Sequence, residues 1–185
     1  MAASRLVALK GVLELPRIHR RIRDETGLKL VVTGRFFEES TRRAFERAAE
    51  KEGLKLGKDV VLTGFLPREK YYETLARARA LVYPSHSDSL SAVILESLAV
   101  GTPVVAYDIP GPRSVYGGLP AVRFVREFDR RAMAEEAARL AEMPEGERRG
   151  LVDDERVASF LDDHSSWDVV AERLAEGILK AAEAR

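Results

Sequence analysis

A chain of 185 residues that is 45% hydrophobic and 32% charged is one globular domain of ordinary size, long enough to bury a real core. Thirty basic and thirty acidic side chains cancel to a formal net charge of +0, which removes the electrostatic case for nucleic acid or an anionic membrane as the main partner. Cysteine is absent and three histidines form no cluster, so disulfides and thiolate metal sites are excluded and zinc has no support. No apolar run approaches the roughly 20 residues of a membrane span and no secretory signal opens the chain; a cytoplasmic protein is expected. Asparagine and glutamine are also missing. Their loss beside abundant Glu, Arg and Lys is a hyperthermophile profile.

In chain order, the first segment is a short stub: Met1-Ala2-Ala3-Ser4 precedes Arg5. Apolar, β-branched runs then predict strands at 28–33, 60–62, 80–83, 103–107 and 121–125. Helical patterns lie at 12–24, 39–52, 67–78, 90–100 and 130–141, and the acidic tail after Met143 also reads as helix. Strands separated by helices of this length predict βαβ units and a doubly wound parallel sheet, Rossmann-like, with helices on both faces. Such a sheet binds its ligands outside the carboxyl ends of the strands. Gly34, Gly64, the 85–91 stretch and the 108–111 stretch each follow a strand and should line that edge.

One carboxylate breaks the pattern of the fourth helix. The run Ala92-Val93-Ile94-Leu95-Glu96-Ser97-Leu98-Ala99-Val100 is apolar nearly all round, which predicts burial on most sides. An ionised carboxylate is costly there without partners. Glu96 therefore either pairs with a buried arginine or faces a site. Asp88 precedes it by seven intervening residues, and Gly101-Thr102-Pro103-Val104-Val105 follows.

The string PSHSDSLSAVILESLAVGTPVVAYD resembles the signature of the retaining glycosyltransferases of group 1, which have the two-domain GT-B fold. Pro-Ser, an acid, seven residues, Glu, and then Gly-x-Pro-Val-Val occur in register through Gly101, Pro103, Val104 and Val105. Two departures stand out. Asp88 replaces the usual Glu, and Ser89-Leu90-Ser91 replaces a Gly-aromatic-Gly turn. Ser165-Ser166-Trp167-Asp168-Val169-Val170-Ala171 is similar to the family's Ser-Trp-x-x-x-Ala ending. The resemblance implies that 1–185 is the C-terminal, nucleotide-sugar-binding half. An N-terminal acceptor-binding domain would then be missing from this chain, and the helices of 144–185 would pack on it.

The same resemblance implies roles. Arg5 and Lys10, in Ser4-Arg5-Leu6-Val7-Ala8-Leu9-Lys10-Gly11, would neutralise the donor diphosphate. A guanidinium can hold two phosphate oxygens and a lysine adds a point charge; the plainer reading is two surface cations among thirty. Glu96 would accept hydrogen bonds from the ribose hydroxyls. Asp88 would contact hydroxyls of the donor sugar, unless it caps the following helix. Ser89, Leu90, Ser91 and Ala92 would offer backbone amides to the sugar or the phosphates. Gly34 and the Leu62-Thr63-Gly64 turn would be the family's two other glycine loops, the second bordering the base, or else ordinary turns. His86 reads as a surface residue and the Trp167 stretch as packing.

The implied reaction transfers a sugar from a nucleoside diphosphate sugar, with no cofactor and no metal. Arg5, Lys10 and Asp88 would do the chemistry, and the isolated domain would be inactive. Two rivals are weighed. A glycosidase using Asp88 and Glu96 as its acid pair fits poorly with the apolar helix and the Gly-x-Pro-Val-Val strand. A transferase-like domain that has lost catalysis and serves as a binding or assembly module would account for the two departures.

Overall fold

A computed structural model describes residues 1–183. Its strands are β1 (Ala2–Ala3), β2 (Leu30–Thr33), β3 (Val60–Gly64), β4 (Leu81–Tyr83), β5 (Val104–Tyr107) and β6 (Val122–Val125). They form two parallel triplets, β1-β2-β3 and β4-β5-β6. Met1 joins the triplets. Its amine donates to the Ala80 carbonyl at 2.8 Å, and its carbonyl accepts from the Val82 N–H at 2.8 Å. The strand order is therefore 3-2-1-4-5-6, the doubly wound arrangement. The stub does supply the central strand, in two buried alanines.

The helices are α1 (Leu15–Thr26), α2 (Glu39–Lys51), α3 (Arg68–Ala76), α4 (Ala92–Ala99), α5 (Pro110–Tyr116), α6 (Arg130–Glu142), α7 (Glu145–Val152), α8 (Glu155–Asp162) and α9 (Trp167–Glu183). They cover both faces of the sheet, and the two-residue period of the strands divides the core between them. Ala2, Val82, Val105 and Tyr107 point to the side of α1, α2 and α6, where Ile18, Phe45 and Met133 are buried. Ala3, Leu81, Tyr83 and Val104 point to the side of α3, α4, α5 and α8, with Leu75, Ile94, Tyr116 and Val157.

Three expectations need correction. The first helix starts at Leu15 rather than at 12. Two 3-10 turns, Ala8–Lys10 and Val12–Glu14, come first, because Pro16 has no N–H to bond the Val12 carbonyl and so fits only the first turn of an α-helix. The Glu96 helix is shorter than 90–100 and less buried than its composition suggests. Ile94, Ser97 and Leu98 are fully covered, whereas Ala92 and Ala99 are exposed. Helix α5, absent from the five expected helices before the tail, begins at Pro110-Gly111-Pro112; proline suits a first helical turn, where its missing N–H costs nothing.

The tail divides. Val152 of α7 and Val157 of α8 enter the second core, so those helices pack on this domain. Helix α9 buries none of its residues and leaves Trp167, Leu174, Ile178 and Leu179 exposed. Among the described residues no helix is long and apolar enough to cross a membrane.

Candidate functional site

The carboxyl edge of the sheet is built from loops that touch through glycines. A Cβ on Gly34 would stand 2.0 Å from the Ser4 carbonyl, one on Gly11 1.9 Å from the Pro84 carbonyl, and one on Gly111 2.1 Å from the Asp88 carbonyl. Each contact brings one βα loop against another, closer than any side chain permits. The first, second, fourth and fifth loops thereby meet along one line.

A cleft of about 1180 Å³ opens there. Arg5, Gly34 and Glu96 line it together with Arg35, Arg68 and Tyr71. Glu96 reaches it from the middle of α4. The Tyr71 hydroxyl donates to Glu96 Oε2 at 2.6 Å. Burial first, and the Glu96 carboxylate second, push the Tyr71 phenol well above its ordinary range, so it stays a donor at neutral pH. Glu96 Oε1 has no hydrogen-bond partner among the described residues. The arginine partner considered for Glu96 is not there. An ionised carboxylate accepts only, so its free oxygen suits a ligand hydroxyl.

The positive charge of the cleft is uncompensated. Arg5, Arg35 and Arg68 are exposed and make no salt bridge among the described residues. The Arg68 guanidinium lies 5.8 Å over the Tyr72 ring. Phe37 and Phe65 stand 67% and 81% exposed at the rim. Sequence reasoning missed Arg35, Arg68, Tyr71, Phe37 and Phe65.

Lys10 and Asp88 form a second cluster outside the residues that line the cleft. Lys10 Nζ lies 2.6 Å from Asp88 Oδ2 and donates to the Ser87 carbonyl at 2.7 Å. Asp88 also accepts from the Tyr83 hydroxyl and from the Ser89 N–H at 2.9 Å. Burial works to raise its pKa, but the Lys10 and Tyr83 bonds outweigh it and hold the carboxyl at about 2. Asp88 does not cap α4. The helix starts four residues later and has no side-chain cap.

The 89–92 segment is mixed in exposure. Ser89, Leu90 and Ala92 are exposed, and Ser91 is buried. Ser91 is left-handed at φ 60°, the conformation that glycine adopts freely and serine does not. Its Oγ is buried and has no hydrogen-bond partner among the described residues, beside the Tyr83 hydroxyl that donates to Asp88. Ser91→Gly removes the strain and the orphaned hydroxyl at some cost in backbone entropy. It should stabilise the chain by about 1 kcal/mol, raising the melting temperature by roughly 2–4 °C in thermal unfolding.

Gly34 lies inside the cleft lining. Leu62 and Thr63 do not: Leu62 packs on the first core, and the Thr63 hydroxyl donates to Thr33 Oγ1 at 3.1 Å. Gly64 is exposed at the end of β3, and its carbonyl accepts from the Gly34 N–H at 3.0 Å. The next residues, Phe65 and Leu66, are the ones that reach the cleft. His86 is no free surface residue. Its ring lies between two carboxylates, with Nε2 2.5 Å from Glu14 and Nδ1 2.8 Å from Glu127.

An open, doubly wound α/β sheet with a cleft at its carboxyl edge defines a Rossmann-like class of domain. The chain belongs to the family of glycosyl transferases group 1, whose model matches residues 1–151. A D-inositol 3-phosphate glycosyltransferase of Streptomyces griseus is 33% identical over 111 residues, 59% of this chain and 22% of that protein. Sucrose-phosphate synthase of Thermosynechococcus elongatus superposes with a TM-score of 0.78 at 22% identity, over 100% of this chain and 45% of that one. HepE of Anabaena, solved in complex with UDP, gives 0.76 at 18% identity, over 97% and 48%. These likenesses establish the Rossmann-like fold of the C-terminal half of a GT-B glycosyltransferase. The chain spans about a quarter of the length of the curated relatives it matches.

Proposed function

We propose that this chain binds the nucleoside diphosphate sugar donor of a retaining, metal-independent glycosyltransferase. The observation that carries the reading is one cleft in which a carboxylate with a free oxygen, Glu96, faces three unpaired guanidiniums, Arg5, Arg35 and Arg68. A nucleoside diphosphate has the complementary parts. Its ribose diol donates to Glu96, and its diphosphate takes charge-assisted bonds from Arg5. Its base covers the rim aromatics Phe37 and Phe65. Fixed cations aimed at the departing diphosphate stabilise charge that grows as the glycosidic bond breaks. Asp88 would meet sugar hydroxyls once Lys10 turns to phosphate.

The acceptor would be held by an N-terminal domain outside this sequence, and closure of the two domains would complete the site and exclude water. The chain alone should bind nucleotide and transfer nothing. We place the protein in the cytoplasm of a thermophile, the composition being the support.

The test is calorimetric titration with UDP, GDP and ADP and their sugar conjugates in EDTA, beside Glu96→Ala. Saturable binding of one nucleotide is expected, weakened in the variant by about tenfold or more through loss of a charge-assisted hydrogen bond. Absence of binding to all three by the folded chain would overturn the donor reading. A second reading, a module that binds but no longer catalyses, is favoured by the Lys10–Asp88 pair and by Ser91. It predicts nucleotide binding without transfer when an N-terminal domain is supplied. The anomeric configuration of any product, read by proton NMR, tests retention.

A further inference from the structure

The first loop carries Lys10 and Glu14, and the fourth carries His86 and Asp88. Two side-chain contacts therefore tie the same two loops: the Lys10–Asp88 ion pair at 2.6 Å and the Glu14–His86 contact at 2.5 Å. Their roles differ. In the donor reading Lys10 and Asp88 both turn to ligand, so the first tie loosens when the site is used. The second has no such duty and is reinforced on every side. Both ring nitrogens of His86 face carboxylate oxygens, Glu14 on one side and Glu127 on the other. The ring is thus held from both sides by carboxylates that come from different segments of the chain.

The surroundings fix this ring. The Tyr107 hydroxyl donates to the other oxygen of Glu14 at 2.9 Å, and the Arg130 guanidinium stands 3.7 Å from the same oxygen. Phe128 stacks on the imidazole, with centroids 4.5 Å apart and planes at 21°. It does so from a left-handed φ of 67°, a conformation that a bulky side chain rarely adopts. Asp129 follows in the same turn, which leads into α6. The backbone N–H of His86 donates to the Leu9 carbonyl at 3.0 Å, a further tie between the two loops.

We infer that His86 is a positioning residue of the donor site, held by Glu14 and Glu127 so that the loops of Lys10 and Asp88 stay docked while those two exchange each other for ligand. The inference rests on the donor reading above. His86 touches no ligand in this scheme and acts through the geometry of its neighbours.

UDP, GDP and ADP, and the bare nucleosides uridine, guanosine and adenosine, are titrated into the wild-type chain, His86→Gln and Glu127→Gln, with thermal unfolding measured alongside. A glutamine amide has one nitrogen and one oxygen where the ring has two nitrogens, so it faces one of the two carboxylates with an acceptor. The His86→Gln chain should bind the nucleoside diphosphate about tenfold more weakly. Binding of the bare nucleoside, which does not reach Lys10 or Asp88, should be unchanged; that split separates positioning from mere packing, which would weaken both alike. If His86→Gln fails to fold, Glu127→Gln, which removes one arm and keeps the ring, should show a smaller loss of affinity for the diphosphate. A folded variant with wild-type affinity for the diphosphate, or with nucleoside and diphosphate weakened alike, would overturn the positioning role and leave the donor reading standing. No binding by the wild type would overturn the donor reading, and the inference with it.

Discussion

Gly11→Ala should be the most damaging single change in this chain. The residue is left-handed at φ 70°, and an added Cβ would lie 1.9 Å from the Pro84 carbonyl oxygen and 2.7 Å from its carbon. Both neighbours are backbone and cannot rotate away. A left-handed alanine costs about 1–2 kcal/mol, and forcing an extra carbon into a filled space costs about 1–3 kcal/mol more. Together they predict a loss of roughly 2–5 kcal/mol, a drop on the order of 10 °C in melting temperature for a chain of this size. The damage is also directed. Pushing the first loop off Pro84 separates Lys10 from Asp88 and Glu14 from His86, so nucleotide affinity should fall at temperatures where the variant is still folded. Paired thermal unfolding and calorimetry check this; a melting temperature within a degree or two of wild type would show that the contact is not made in solution.

Arg5→Ala should have the opposite profile, with a large effect on binding and almost none on stability. The side chain is exposed and has no salt bridge or hydrogen bond to lose among the described residues. Its truncation should change unfolding by less than about 0.5 kcal/mol. If Arg5 holds two oxygens of the donor diphosphate, each charge-assisted bond is worth about 1.5–3 kcal/mol. Affinity for a nucleoside diphosphate should then fall by roughly 100-fold. The same substitution should leave binding of the bare nucleoside nearly unchanged. Arg5→Lys should recover part of the loss, because a point charge replaces a two-pronged donor. Equal losses for nucleoside and diphosphate would assign Arg5 to the sugar or base rather than to phosphate.

The alternation of β-branched and helical segments made the doubly wound sheet legible, and the acid-seven-acid spacing led to Glu96. Both signals are local: a strand announces itself in five residues and a signature in twenty. Glu96, Arg5 and Gly34 do meet in one cleft. The contacts that decide charge were not legible in that way. Lys10 and Asp88 are 78 positions apart, and no spacing rule joins them. Arg35 and Arg68 look like any exposed arginine until the cleft places them opposite a carboxylate. Phe37 and Phe65 read as loop aromatics because exposure has no periodicity. Tyr71 sits on a helix whose pattern hides which of its two tyrosines turns inward. Ser91 is the instructive case. The missing glycine was visible in the sequence, but the backbone keeps the glycine conformation and serine bears the strain.

The shortest strand of the sheet lies at its centre. Three strands stand on each side of a seam stitched by Met1 through two hydrogen bonds, to Ala80 and from Val82, whereas β2 and β3 or β5 and β6 meet along four registered pairs. The cleft bestrides this seam. Gly34, Arg35, Phe37 and Phe65 belong to one flank, and Tyr71, Val93 and Glu96 to the other. A molecule gripping both flanks acts as a rivet across the thinnest part of the plate. Cohesion between the halves and occupancy of the cleft are then one quantity seen from two sides: whatever loosens the spine widens the jaws, and whatever fills the jaws braces the spine.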